Sequence, residues 1–140
     1  MAFTGNYSCN TLRAGLANGT INFATGTFYM ALYTNTATLN QTTTAYTATG
    51  EASGGSYSPG GQLISATIGS QTTATGSVTY VTFSAPAWTG AITARGALIY
   101  VPGANGAVCV LDFGNDKSSA STFTVQMPAN TSTSALIRLT

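Results

Sequence analysis

Seven side chains in this 140-residue chain carry a formal charge, and no residue is histidine. The acids are Glu51, Asp112 and Asp116; the bases are Arg13, Arg95, Lys117 and Arg138. The missing imidazole removes the commonest general base, and with it the Ser-His-Asp and Cys-His nucleophile arrangements. A paired-carboxylate mechanism needs two acids side by side, and Glu51 lies in a glycine-rich stretch far along the chain from Asp112 and Asp116. Asp112, Asn115 and Asp116 could offer oxygens to calcium, but their spacing departs from an EF-hand loop, and Asp116 with Lys117 reads as turn chemistry at a hairpin tip. Two cysteines without histidine cannot close a four-ligand zinc site. The expectation is a non-enzymatic chain with no catalytic residue, no metal and no cofactor.

Cys9 and Cys109 are the two thiols. Cys109 sits in Val108-Cys109-Val110-Leu111, a buried-strand pattern in which cysteine acts as a small hydrophobe. Asn-X-Ser/Thr triplets begin at Asn6, Asn18, Asn40 and Asn130; in a chain with 26 threonines such triplets are expected by chance. Arg95 and Asp112 flank the hairpin signal Pro102-Gly103-Ala104-Asn105-Gly106. If that loop sets the register, facing residues have numbers summing to about 207 or 208, which makes the two a structural cross-strand pair. Such a pair fixes register and performs no reaction.

Five of the seven tyrosines, Tyr7, Tyr29, Tyr33, Tyr46 and Tyr57, fall within the first 60 residues. Tyrosine joins apolar area to a hydroxyl and suits protein interfaces. Tyr46 and Tyr57, in a loop, are assigned to an interface, as are Phe3 and Tyr7 in an N-terminal arm. Tyr29 and Tyr33 read equally as interface residues or as half-buried strand packing.

The elements that must hold these residues are mostly strands. Threonine suits strands, and glycine with asparagine suits turns. A short helix is expected over Leu12 to Ala17, capped by Asn10 or Thr11 and stopped by Asn18-Gly19, with Leu12 and Leu16 on one face. Strands are expected at 27–34, 62–68, 78–83, 92–101, 107–113, 122–127 and 135–139, with turns at 71–76 and 114–119. The alternation in 28–33 gives an aliphatic face (Phe28, Met30, Leu32) and a tyrosine-bearing face. Residues 35–61 read as a long surface loop, and residues 1–10 as an extended arm. The whole, 1–140, reads as one all-β domain: an antiparallel β-sandwich or jelly-roll-like barrel with one short N-terminal helix.

Net charge is +1 with no basic stripe, so nucleic-acid binding is not expected. No apolar run is long enough to span a membrane, and the first residues lack the pattern of a secretory signal.

Several segments resemble a group of small virion proteins of tailed bacteriophages. They are Phe28-Tyr29-Met30-Ala31-Leu32-Tyr33-Thr34, the stretch from Thr44-Ala45-Tyr46-Thr47 through Tyr57-Ser58-Pro59-Gly60-Gly61, Thr93 to Tyr100, and Val110-Leu111-Asp112-Phe113-Gly114. The resemblance implies a structural virion component. The expected role is a capsid decoration (cement) protein on the capsid exterior, assembled in the bacterial host cytoplasm, with the major capsid protein and its own copies, as a homotrimer, for partners. The alternative is a small tail or tail-fibre component binding a host-surface glycan, with Trp88 and Tyr57 stacking on sugar rings. A surface this poor in charge suits a dense assembly better than free solution.

Overall fold

The hexapeptide Phe28-Tyr29-Met30-Ala31-Leu32-Tyr33 is buried at every position but Tyr29, and the architecture follows from the need to cover both of its faces. A computed structural model describes residues 3–139. In chain order the elements are β1 (Tyr7–Ser8), α1 (Asn10–Asn18), β2 (Phe28–Tyr33), β3 (Gln62–Ile64), β4 (Ala66–Thr73), β5 (Gly76–Phe83), β6 (Ala87–Thr89), β7 (Ile92–Tyr100), β8 (Ala107–Ser119), β9 (Thr122–Thr124) and β10 (Ile137–Leu139). They form a five-stranded sheet in the order β1-β8-β7-β2-β3, a three-stranded sheet β10-β5-β4, and a two-stranded ribbon β6-β9. Every pairing among the described residues is antiparallel. The protein is all-β with one short helix, and the sheets do not close into a barrel.

Two cores lie on opposite faces of the five-stranded sheet. On one face Phe28, Met30 and Leu32 of β2 join Ala97 and Ile99 of β7, Val81 and Phe83 of β5, Trp88, Phe123 and Leu12 of the helix. Here Phe28 lies between Phe23 and Phe83, with ring centroids 5.5 and 5.3 Å away. On the other face Ala31, Tyr33, Leu98, Tyr100 and Val110 are roofed by Phe3 and Cys9 from the N-terminal segment and by Ala37 and Leu39 from the long loop. The arm expected to extend from the body is therefore docked on it: Phe3 is 0% exposed, and β1 pairs with β8. Residues 1 and 2 of that arm lie outside the described residues. The loop expected over the surface is likewise tied down, and Ala37, Leu39 and Ala52 are buried. Burying an aromatic such as Phe3 contributes about 2–3 kcal/mol.

The helix starts at Asn10, itself one of the two expected caps. Cys9 occupies the N-cap without a side-chain bond to the helix, and Gly19, at φ 81°, closes the C-terminus. Thr11, free of capping duty, donates its hydroxyl to the Ala107 carbonyl at 2.6 Å and anchors the helix to β8. Gly15 is required because Ile21 packs directly on it; a Cβ there would meet the isoleucine side chain at 2.6 Å.

Two strands run past their expected ends. The turn expected at 71–76 contracts to two residues, since Thr73 pairs with Gly76. The turn expected at 114–119 is a strand: β8 continues to Ser119, opposite Ile92. The glycine and acid that resemble a turn form a bulge instead. Facing numbers sum to 208 at Gly96–Asp112 and to 211 at Ala94–Lys117, and Gly114 absorbs the slip at φ 86°. Asp116 and Lys117 are thus strand residues, not a hairpin tip. The hairpin at 102–106 closes as expected, with Asn105 at φ 59° and the Val101 amide donating to the Gly106 carbonyl at 2.8 Å.

Candidate functional site: a tyrosine cluster closed on Glu51

The single glutamate of the chain is the centre of the most organised polar arrangement in the fold. Glu51 lies opposite Tyr33 in an isolated bridge at the margin of β2, placed there by backbone bonds from the Thr34 amide to the Gly50 carbonyl and from the Ala52 amide to the Leu32 carbonyl, each 2.8 Å. Its carboxylate accepts three hydrogen bonds. Tyr46 donates to Oε2 at 2.7 Å, Tyr57 donates to Oε1 at 2.6 Å, and the Gly60 amide donates to Oε1 at 2.7 Å. The Tyr57 oxygen also accepts the Leu32 amide at 2.9 Å, which joins the loop to the central strand. Tyr100 donates to the Gly60 carbonyl at 2.6 Å and Tyr33 to the Thr47 carbonyl at 2.7 Å.

The rings are as ordered as the hydroxyls. Tyr29, Tyr100 and Tyr46 stack in series, with centroids 5.9 and 5.1 Å apart. Tyr57 tilts against Trp88 at 5.4 Å. The backbone comes close enough to make this possible only where glycine permits. A Cβ on Gly61, at φ 82°, would run into the Met30 carbonyl, and one on Gly55, at φ 49°, into the Thr89 carbonyl. Residues 35–61 are thereby clamped against β2 and β6.

Burial fixes the protonation of these phenols. Tyr46 is pushed up to about 12, first by burial and then by its bond to Glu51. Tyr100 is pushed up to about 12 by burial and then by the Glu51 charge. Tyr33 and Tyr57 are driven higher, in each case chiefly by burial. All four are neutral donors across the ordinary pH range, and Glu51 has both oxygens occupied. The arrangement holds a loop in one conformation.

Of the residues assigned to an interface from sequence, Phe3 and Tyr33 are fully buried, and Tyr29, Tyr46 and Tyr57 are half-buried and engaged within the chain. Tyr7 is half-buried on β1, its hydroxyl sharing a 2.7 Å bond with Thr4. Trp88, offered as a sugar-stacking residue, is 4% exposed. The structure adds Glu51 and Tyr100, which sequence reasoning had not placed together; the lone glutamate within a run of glycines was the available signal.

Arg95 and Asp112 do meet, with the guanidinium donating Nε to Oδ1 at 3.1 Å and Nη2 also 3.1 Å from Oδ1, both side chains 12% exposed. The backbone partner of Asp112 is Gly96, so the pair is diagonal. Asp112 also accepts the Gly114 amide at 2.8 Å, which fastens the bulge. Among the described residues no group of three or more His, Cys, Asp or Glu side chains is placed to share a metal ion. Cys9 and Cys109 are both buried free thiols; burial pushes Cys9 up to about 11 and raises Cys109 further. Two of the Asn-X-Thr triplets are local turns, Asn18 accepting from the Thr20 hydroxyl at 2.7 Å and Asn40 from the Thr42 hydroxyl at 2.6 Å. Compared with known families, curated proteins and solved structures, the chain matches none of them.

Proposed function

We propose that the protein is a non-enzymatic structural component of a tailed-bacteriophage virion, a decoration protein that lies on the outer face of the major capsid protein lattice and braces neighbouring subunits. The observation that carries this reading is the disposition of its few charges. Glu51 is consumed by the tyrosine cluster, and Arg95 and Asp112 neutralise each other. Four charged side chains remain exposed: Arg13, Asp116, Lys117 and Arg138. A surface so nearly neutral covers a protein lattice without stranding unpaired charges at the contact, and salt has little to screen. The clamped loop and docked arm supply a contact surface formed before binding, which spares the ordering cost that a floppy loop would bring.

The glycan-binding tail reading loses its named residues, since Trp88 is buried and the Tyr57 hydroxyl is committed to Glu51. The test is co-sedimentation of the purified chain with particles that lack it, in low and high salt, followed by heating. Retention in both salts and a higher temperature of genome release are expected. Failure to sediment with the particles, or release by salt, would overturn the proposal.

A further inference from the structure

The free edges of the sheets are unequal. β1 spans two residues, and β3 and β10 span three each, with Arg138 in β10. β4 spans eight, Ala66-Thr67-Ile68-Gly69-Ser70-Gln71-Thr72-Thr73, and among the described residues pairs on one side alone, with β5. It lies within residues 52–94, which contain no charged side chain. Proteins ordinarily guard a long free edge with lysine, proline or a bulge. β4 has no charge and no proline, and its register with β5 is unbroken.

The ladder shows which backbone groups are free. The Ser84 amide donates to the Ser65 carbonyl at 2.8 Å, so 65 and 84 form a hydrogen-bonded pair. Pairs alternate along an antiparallel ladder. Residues 67, 69, 71 and 73 therefore bond to β5, and the amides and carbonyls of 66, 68, 70 and 72 point off the edge. Tyr80 lies across from Gly69 with its ring against the glycine, at 2.3 Å from where a Cβ would be.

We propose that β4 is a self-association edge, and that its occupant is the β4 strand of a second copy, laid antiparallel about a two-fold axis at Gly69. That register sets 66 against 72 and 68 against 70, engages all four free positions of each strand, and forms about eight backbone hydrogen bonds. The two three-stranded sheets become one continuous sheet across the axis. A second copy is the occupant that the charge pattern selects: a charged strand would bring its charges onto an edge with nothing to pair them, whereas β4 against itself buries none. The contact is isologous and consumes both edges, so it closes on a pair. A strand of eight residues is about 26 Å long, and an edge contact of that length is smaller than a standard interface, so the pair forms at high chain concentration.

Sedimentation of the purified full chain from about 5 µM to about 1 mM tests this, because mass action must draw a weak pair together across that range. The apparent mass should climb from 14.2 kDa toward twice that value. Ser70→Pro removes an off-edge amide while leaving the bonds to β5, a place where an edge strand tolerates proline. Ile68→Lys sets two lysines diagonally across the axis. Both variants should stay at 14.2 kDa throughout. Leu63→Lys, which alters an exposed apolar residue on β3, should associate like the unaltered chain. Trp88 fluorescence reports folding, and if Ser70→Pro fails to fold, Ile68→Lys carries the test. A mass fixed at 14.2 kDa, a dimer or trimer that persists in both β4 variants, or equal dissociation by Leu63→Lys would overturn the proposal.

Discussion

Glu51→Ala should be the most damaging single change outside the hydrophobic cores. It removes the acceptor for Tyr46, Tyr57 and the Gly60 amide together. Hydrogen bonds to a charged group contribute about 1.5–3 kcal/mol each, and a donor left buried and unpaired costs about 1–3 kcal/mol. Tyr57 and the Gly60 amide are the sequestered donors; Tyr46 is nearer solvent, where water substitutes. A net loss of about 3–5 kcal/mol follows, which for a chain of this length lowers Tm by roughly 10–15 °C. Glu51→Gln keeps the shape and one acceptor oxygen and should cost about 1–2 kcal/mol. Urea unfolding followed by the fluorescence of Trp88, which packs on Tyr57, gives both numbers. Proteolysis should accelerate within 35–61 in Glu51→Ala before the rest of the chain is cut. A loss below about 1 kcal/mol for Glu51→Ala would refute the reasoning, because three charge-assisted bonds cannot be worth so little unless water already occupies the site.

Alkali should weaken the fold in a defined window. Tyr46 and Tyr100 titrate near 10 when unfolded but are pushed up to about 12 in the fold. Cys9 and Cys109, near 9 when unfolded, are raised in the fold as well. The unfolded chain therefore releases protons first as pH rises, from the thiols and then from the phenols, so stability is complete below about pH 8 and falls from there to about 12. A urea midpoint flat to about pH 8 and declining above it is expected; a midpoint unchanged at pH 11 would contradict it. Asp112→Ala should cost about 2–4 kcal/mol, because it leaves the Arg95 charge and the Gly114 amide without their acceptor, while Arg95→Met should cost less; thermal unfolding of the two variants ranks them. Phe3→Ala should cost about 3–4 kcal/mol from the cavity it opens, and a chain lacking residues 1–10 should lose its cooperative transition. A truncated chain that melts like the intact one would refute the docking of the arm.

The strands that depend on local chemistry were legible. Asn105-Gly106 fixes a tight connection, so the register of β7 and β8 could be counted from the loop, and the Arg95–Asp112 neighbourhood followed. The same logic misread Gly114-Asn115-Asp116, because positive φ and a carboxylate acceptor serve a bulge as well as a turn, and only the partner strand decides between them. The second core was less visible. Phe3, Ala37 and Leu39 stand among threonines and glycines and look exposed in isolation. The warning lay in β2, where both alternating faces are apolar or aromatic; a strand of that kind must be covered twice. What covers it is set by contacts between segments far apart in the chain, and Glu51 is invisible as a centre until residues 46, 57 and 60 converge on it.

The proposed role rests on a surface nearly empty of charge, and a lattice protein must be abundant where it works. The direct measurement is the number of copies of this chain per purified virion, relative to the major capsid protein. A ratio of one to one, or one to a small integer, is expected. A handful of copies per particle, or none, would contradict the assignment to the shell.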